Sequence, residues 1–212
     1  MSTHRIFLLS PANLGGERAA QLCRPDARFD LALRLRQGEA TLGETFAFIS
    51  GLYFRGKLAY AQRFAAPPPD IPGAWVITSA FGLLLPDTLV TFGHLRKIAQ
   101  VPIDASDPRY REPLDRACRT LCELAGPGCD FILLGSVATM KYLEPMFRIF
   151  GDRLLFPEEF AGRGDMSRGG LMTRCVRSGD ELTYVPVGAI TRHGPRPPKL
   201  SRLTSRDPSA PR

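Results

Sequence analysis

Three short apolar runs constrain the fold of this chain more than any other feature. They are RIFLLS at 5–10, AWVITS at 74–79 and DFILLGS at 130–136. Each run is continuously apolar, which is typical of parallel strands that are covered on both faces. Helical patterns separate the runs, so the sequence predicts a βαβ succession and an α/β fold with three layers.

Weaker patterns complete this prediction. Segments 153–157 and 181–187 are further candidate strands, and the second alternates, which favours a position at the edge of the sheet. We therefore expect a single three-layer domain with a mainly parallel sheet of about five strands. Helices are predicted at 16–23, 28–37, 44–64 with a break near Gly51, 113–125, 137–150 and 166–177.

The distribution of charge separates a domain from a tail. The chain has 212 residues and a net charge of +7, with 44% hydrophobic residues, which is an ordinary value for one globular domain. Residues 191–212 contain five Arg and one Lys against one Asp, and they also contain five Pro. We predict an α/β domain at 1–190 and a basic, Pro-rich, disordered tail at 191–212. A tail of this kind can bind polyanions, but many such tails have no function.

The N-terminal region indicates the compartment. Its apolar run, Ile6 to Leu9, is much shorter than the roughly 7 to 15 residues of a signal peptide. No run approaches the roughly 18 apolar residues of a membrane span. We expect a cytoplasmic protein that has no membrane partner.

The cysteines offer a metal site or ordinary thiols. The chain has five, an odd number, and in the cytoplasm they are expected to stay reduced. Cys118, Cys122 and Cys129 are close in sequence, but their spacing is not that of a zinc knuckle and histidine is scarce nearby. We predict buried thiols and no metal.

The ends of the three apolar runs carry the first candidate binding residues. Ser10, Ser79 and Ser136 stand where each strand leaves the sheet, and Asn13 and Gly82 follow in two of the loops. Parallel strands end on one side of a sheet, and ligands bind in the crevice outside those ends. We expect these residues to converge on a phosphate, a carboxylate or a sugar hydroxyl. The alternative is that they are ordinary turn and cap residues.

The segment AGRGDMSRGG, at 161–170, adds candidate cations. A helix is predicted to begin near Asp165, which we expect to be its N-cap. Arg163 precedes this helix, and Ser167 and Arg168 lie in its first turn, so both guanidinium groups can face one anion. Lys141, in the helix after the third strand, can reach back to the same anion.

Asp87 is the candidate catalytic carboxylate. It follows a proline just after the second strand, beside the predicted crevice. A Pro-Asp-Thr segment is equally typical of a turn that leads into a helix cap. The sequence has no Walker loop, no G-x-S-x-G and no H-E-x-x-H, and its three histidines are isolated. Catalysis would therefore use Asp, Glu, Tyr, Lys or Ser.

The helical segment GLYFRGKLAYAQRF, at 51–64, has a basic and aromatic face. Tyr53, Lys57, Tyr60 and Arg63 are spaced by four, three and three residues, so they share one side of the helix. A face of this kind can stack on bases and neutralise phosphates in a nucleic acid. The same pattern also arises, more commonly, when tyrosines pack inward beside lysine and arginine stems.

Taken in order, these motifs carry a family resemblance. The order LLSPAN, SGLYFRGKLAYAQRF, WVITSAFGLLLPDTLV and GRGDMSR resembles an uncharacterised domain family of bacteria and phages. More distantly, it is similar to the peroxide stress proteins of the YaaA type. The matching residues are Ser10, Pro11, Ala12, Ser79, Gly82, Leu83, Leu85, Pro86, Asp87, Arg163, Gly164, Met166, Ser167 and Arg168. The lysine of the family's first motif is Asn13 here. The resemblance implies a role in DNA binding under stress.

Three functional hypotheses follow. The first is a nucleotide or nucleic-acid phosphate binding protein, active in stress protection or in processing of nucleic acid. In it the arginines hold phosphate, the strand-end serines orient sugar or base, and the basic helix and tail add non-specific affinity. The second is an enzyme that cleaves an N-glycosidic bond, with Asp87 as nucleophile or general base. The third is an accessory module with an empty crevice. The sequence leaves the cofactor unassigned.

Overall fold

The computed structural model describes residues 4–136, 143–189 and 200 of the chain. The strands are β1 His4–Leu9, β2 Ala40–Thr41, β3 Ala74–Thr78, β4 Gly82–Leu84, β5 Leu89–Val90, β6 Cys129–Leu134, β7 Leu154–Pro157 and β8 Tyr184–Pro186. The helices are α1 Glu17–Leu22, α2 Asp30–Gln37, α3 Leu42–Ser50, α4 Leu52–Phe64, α5 Phe92–Gln100, α6 Pro108–Ala125, α7 Leu143–Phe150 and α8 Asp165–Ser178.

A mostly parallel sheet of six strands forms the centre of the fold, in the order β4-β3-β1-β6-β7-β8. The four inner strands are parallel, and β4 and β8 are antiparallel edges. Consecutive residues of β1, from Ile6 to Leu9, are all fully buried. Since neighbouring strand residues point to opposite faces, both faces of the sheet are covered by helices. The predicted three-layer α/β fold is confirmed, with the segment around β8 at an edge. The sixth strand, β4, lies where the sequence predicted a loop.

The order of the parallel strands locates a crevice. From β1 the chain crosses to β3 on one side, and it then returns to place β6 and β7 on the other side of β1. The direction of winding therefore reverses between β1 and β6. At such a reversal the loops after two neighbouring strands leave toward opposite faces, which opens a crevice at their carboxyl ends.

The helices pack in two groups that hold this crevice in place. α4 packs against α8 and contacts β1, and α6 packs against α7 and contacts β4. α3 and α4 separate at Gly51, whose φ is 60°, at the break that the sequence predicted. α5 was not predicted. Its N-cap is Thr91, whose hydroxyl accepts from the backbone N–H of His94.

The described residues bear on two further sequence predictions. No helix within them has both the length and the apolar character that crossing a membrane requires. Cys118, Cys129 and Cys175 are buried, Cys122 is half-buried and Cys23 is exposed. In the same residues no group of three or more His, Cys, Asp or Glu side chains is placed to hold a metal ion.

Candidate functional site

A cleft of about 480 Å³ lies at the carboxyl edge of the sheet. Ser10, Ser79 and Ser136, which follow β1, β3 and β6, all line it. The structure thus brings the three strand-end serines together at the reversal of strand order. Their role in binding stays a prediction. The other lining residues are Pro11, Ala12, Asn13, Leu14, Gly15, Ser50, Tyr53, Ile98, Ala99, Val101, Ile103 and Asp165.

Two polar residues of the cleft help to shape its walls. The Ser79 hydroxyl donates to the carbonyl oxygen of Ile98, which ties the end of β3 to α5. The Asn13 Oδ1 accepts from the backbone N–H of Gly15 at 3.0 Å and so closes a turn in the β1–α1 loop. Both residues line the cleft, as expected from their positions after strands.

Lys57 lies directly behind Ser10. It is fully buried, although one of the two alternatives for this helix placed it on a face for nucleic acid. Its Nζ donates to the backbone oxygen of Ser10 at 2.6 Å and to the Ser10 Oγ at 2.9 Å. The same Nζ lies 4.3 Å from the ring centroid of Tyr53 and 4.9 Å from that of Phe54. The Lys57 amine is therefore held against the Ser10 side chain from the interior of the protein.

The surroundings of Lys57 favour its neutral form. Burial lowers the pKa of Lys57 to about 7, because the charged form loses its hydration. Asp165 opposes this shift and Arg168 adds to it. The amine is therefore in a form that can give or take a proton near neutral pH.

Two glycines allow α4 and α8 to approach closely enough to build this site. A Cβ on Gly56 would lie 2.9 Å from the backbone oxygen of Gly169, and a Cβ on Gly169 would lie 2.9 Å from that of Leu52. The helices therefore meet backbone to backbone. This contact brings the first turn of α8, with Asp165, to the cleft wall. The sequence signal was glycine inside two helical patterns, but it does not say which helices meet.

The prediction that Asp165 is the N-cap of α8 is wrong. The N-cap of α8 is Gly164, and no side chain caps this helix. Asp165 is instead the first helical residue, and its side chain is 68% exposed. Among the described residues, Asp165 is the one carboxylate that lines the cleft.

Arg163, Ser167 and Arg168 do not line the cleft, which corrects the prediction that both arginines face one anion there. Arg168 is buried, and it donates to the backbone oxygens of Phe160 at 3.2 Å and Gly135 at 3.4 Å. Arg163 donates to the backbone oxygen of Glu159 and to the Ser167 Oγ. These guanidinium groups hold the turn before α8 and the end of β6.

The predicted basic face of α4 is also wrong. Tyr60, like Lys57, is fully buried. Its hydroxyl accepts from the backbone N–H of Leu182 at 2.8 Å and lies 2.7 Å from the Tyr184 hydroxyl. Arg63 alone of the three candidates is exposed. The inward-packing alternative is the one that the structure adopts, because α8 and β1 cover this side of α4.

Three further candidates lie away from the cleft or outside the described residues. Asp87 is exposed in the turn after β4 and does not line the cleft, so its predicted place beside the crevice is wrong. Gly82 opens β4 with a φ of 70°, and a side chain there would collide with the backbone of Pro113 on α6. Its role is packing. Lys141, like the tail apart from Leu200, lies outside the described residues.

A second cleft, of about 460 Å³, adjoins the first and shares Leu14 and Ala99 with it. Arg24, Arg36 and Arg96 line this second cleft, and no carboxylate of the described residues does. The remaining lining residues are Ala19, Cys23, Pro25, Phe92 and Leu95.

These arginines differ in their contacts. Arg36 donates to the backbone oxygens of Ala27, Arg24 and Pro25 and so fixes the segment before α2. Arg24 and Arg96 are exposed. Sequence reasoning missed all three arginines, because they come from separate elements and form no motif.

Comparison with known proteins adds nothing to this description, since no family model, curated protein or solved structure matches this chain. The fold and the site define a three-layer α/β protein with two adjoining clefts, the larger at the carboxyl ends of its central strands. The resemblance to the YaaA type stays a prediction from short motifs.

Proposed function

We propose that this protein binds a phosphorylated small molecule of nucleotide size across the two clefts. The observation that carries the proposal is that a serine-lined cleft, placed where α/β sheets bind ligands, adjoins a cleft lined by three arginines. Their volumes, about 480 and 460 Å³, lie within the range of roughly 300 to 1,000 Å³ that small-molecule sites occupy.

The first cleft suits the sugar and the base of such a ligand. The Ser10 and Ser136 side chains and the Asn13 amide supply polar groups on one side. Val101 and Ile103 supply an apolar wall, against which a flat ring can pack. Small residues after β1 allow the ligand to come close to the backbone.

The second cleft suits the phosphate. Guanidinium groups bind phosphate with two parallel hydrogen bonds, and Arg24 and Arg96 are exposed in this cleft. Phe92 and Leu95 also line this cleft, and an apolar lining strengthens such contacts. Arg24 and Arg96 thereby replace Arg163 and Arg168, which the sequence suggested for this role.

The arrangement favours a nucleotide over a nucleic-acid chain. The helix face proposed for contacts with a polymer packs inside the protein through Lys57 and Tyr60. Two adjoining clefts of this size match a mononucleotide or dinucleotide. The N-glycosidic enzyme hypothesis loses its support in Asp87, which lies away from both clefts.

Isothermal titration of the full chain tests the proposal. Nucleoside monophosphates and diphosphates are compared with the matching nucleosides and with short single-stranded and double-stranded DNA. The double variant Arg24→Gln, Arg96→Gln is expected to bind the phosphorylated ligand at least tenfold more weakly, which is about 1.4 kcal/mol. Binding of the bare nucleoside is expected to change little.

Arg119→Gln is the matched control, since this exposed arginine on α6 lines neither cleft. It is expected to bind like the natural protein. Equal affinity of the double variant for the phosphorylated ligand would contradict the assignment of Arg24 and Arg96. Binding of DNA in preference to every nucleotide would contradict the proposal as a whole.

A further inference from the structure

Ser10 and Lys57 have a geometry that ligand binding alone does not require. A buried amine contacts the hydroxyl of a cleft serine, with the Nζ 2.9 Å from the Oγ. A hydroxyl within hydrogen-bond reach of a base is the arrangement of an activated nucleophile, and Ser-Lys pairs are one form of it.

We propose that Ser10 and Lys57 form a catalytic dyad that hydrolyses a carboxylic ester of the phosphorylated ligand, with Ser10 as the nucleophile and Lys57 as the general base. The identity of the substrate rests on the proposed function. The dyad itself rests on the Ser10–Lys57 contact at the floor of the cleft.

The contacts of Lys57 fix its orientation toward Ser10. The hydrogen bond from Nζ to the Ser10 backbone oxygen, at 2.6 Å, anchors the amine beside the same residue whose hydroxyl it contacts. The rings of Tyr53 and Phe54 enclose it on the side of α4. A neutral amine can keep an N–H donated to the backbone oxygen while its lone pair accepts the proton of the Ser10 hydroxyl.

The charge balance supports the role of base. Burial lowers the pKa of Lys57 to about 7, so that a large part of the amine is neutral at neutral pH. The charged groups that act on it, Asp165 and Arg168, both come from α8 and shift its pKa in opposite directions. Ser10, directly after β1, and Tyr53 on α4 also lie beside it.

The reaction balances with water as the only co-reactant. The Ser10 Oγ bonds to the ester carbonyl carbon as its proton passes to Lys57, and the carbon–oxygen bond to the alcohol then breaks as Lys57 returns the proton to the leaving oxygen. Water attacks the resulting acyl-serine, again giving its proton to Lys57, and that proton returns to the Ser10 Oγ as the acid leaves. The positive end of the α8 dipole, beside the cleft, favours the negative charge that develops on the carbonyl oxygen.

A fluorophosphonate probe tests the nucleophile directly. An activated serine displaces fluoride from phosphorus, and peptide mass spectrometry locates the new Oγ–P bond. We expect modification at Ser10. Ser79 is the internal control, because it lines the same cleft but its hydroxyl donates to the carbonyl oxygen of Ile98. Ser10→Ala should abolish the modification, and Lys57→Met should slow it at least a hundredfold.

The pH profile of the natural protein keeps the test decisive even if Lys57→Met fails to fold. The rate of modification of Ser10 is expected to rise with pH and to level off above a midpoint near 7, where Lys57 becomes neutral. Equal rates at Ser10 and Ser79, no modification of Ser10, or a rate that rises without levelling through pH 9 would each overturn the dyad.

The two proposals fail separately. Nucleotide binding by titration with an unreactive Ser10 overturns the dyad and leaves the proposed function standing. A reactive Ser10 in a protein that binds no phosphorylated ligand overturns the proposed function and leaves the dyad. Hydrolysis of 4-nitrophenyl acetate, measured by the release of 4-nitrophenolate, completes the test. It should require both Ser10 and Lys57, and an unchanged rate in Ser10→Ala would overturn the dyad.

Discussion

Replacement of Lys57 by Met measures how strongly the fold disfavours a charge at this position. Lys57 is fully buried, and its pKa falls from 10.5 to about 7. A difference of this size corresponds to about 5 kcal/mol between the charged and neutral forms. The folded chain therefore loses stability whenever the unfolded chain carries this proton.

The sign of the pH dependence follows from the two pKa values. Between pH 7 and pH 10.5 the unfolded chain binds the Lys57 proton and the folded chain largely does not, so the free energy of unfolding rises with pH across this window. The rise from pH 7 to pH 9 is about 2 kcal/mol for this group. Below pH 7 both states bind the proton and the loss of stability is constant.

Urea unfolding at pH 7, 8 and 9 is the assay. Methionine does not titrate, so the free energy of unfolding of Lys57→Met minus that of the natural protein should fall by about 2 kcal/mol from pH 7 to pH 9. The lost hydrogen bonds to Ser10 change this difference at every pH and leave its slope. Other titrating groups cancel, because both proteins contain them.

Arg63→Met is the control, since Arg63 lies on the same helix, is exposed, and carries a guanidinium that stays charged in both states. Its difference from the natural protein should not change with pH. A Lys57→Met difference that is equally flat would refute the reasoning, because it would mean that Lys57 keeps its charge in the folded protein. The role of Lys57 as a base would then fail as well.

Three further substitutions test the packing around the site. Gly169→Ala places a Cβ 2.9 Å from the backbone oxygen of Leu52. It should therefore destabilise the protein by about 1 to 3 kcal/mol in urea unfolding and also weaken nucleotide binding. Unchanged stability would argue against the close α4–α8 contact. Gly82→Ala puts a side chain at a φ of 70° and against the backbone of Pro113, so a similar loss of stability is expected, with ligand affinity unchanged. A loss of affinity without a loss of stability would indicate that Gly82 belongs to the binding site. Tyr60→Phe leaves the N–H of Leu182 without its acceptor, which should lower the free energy of unfolding by about 1 to 3 kcal/mol. A fall in DNA affinity with unchanged stability would instead support a nucleic-acid contact by this side of α4.

The regular elements were largely predictable from the sequence. The three apolar runs become the central parallel strands, since strands that are covered on both faces are apolar without interruption. The break between α3 and α4 was marked by Gly51. β4 was missed because three residues carry no periodicity, and its pairing with β3 forms only after the chain turns back. α5 was missed although Phe92, Leu95 and Ile98 repeat at helical spacing, which was a signal that the sequence did offer.

The candidate site was predictable only where it follows from strand order. The convergence of Ser10, Ser79 and Ser136 needs nothing more than parallel strands, whose ends share one edge. The arginines of the second cleft could not be found in this way, because they come from α2, α5 and the segment between α1 and α2. Only the packing of these elements makes them neighbours.

The sequence by itself determined that Tyr53, Lys57 and Tyr60 share one side of α4, because helical spacing fixes which side chains lie together. It did not determine whether that side meets solvent or protein. Tertiary structure decided this, through Gly56 and Gly169, which let α8 lie against α4 at backbone distance and cover it. Local spacing is a property of one helix, but burial is a property of the partner that packs on it. The same lysine that the sequence offered to a nucleic acid is therefore held against Ser10.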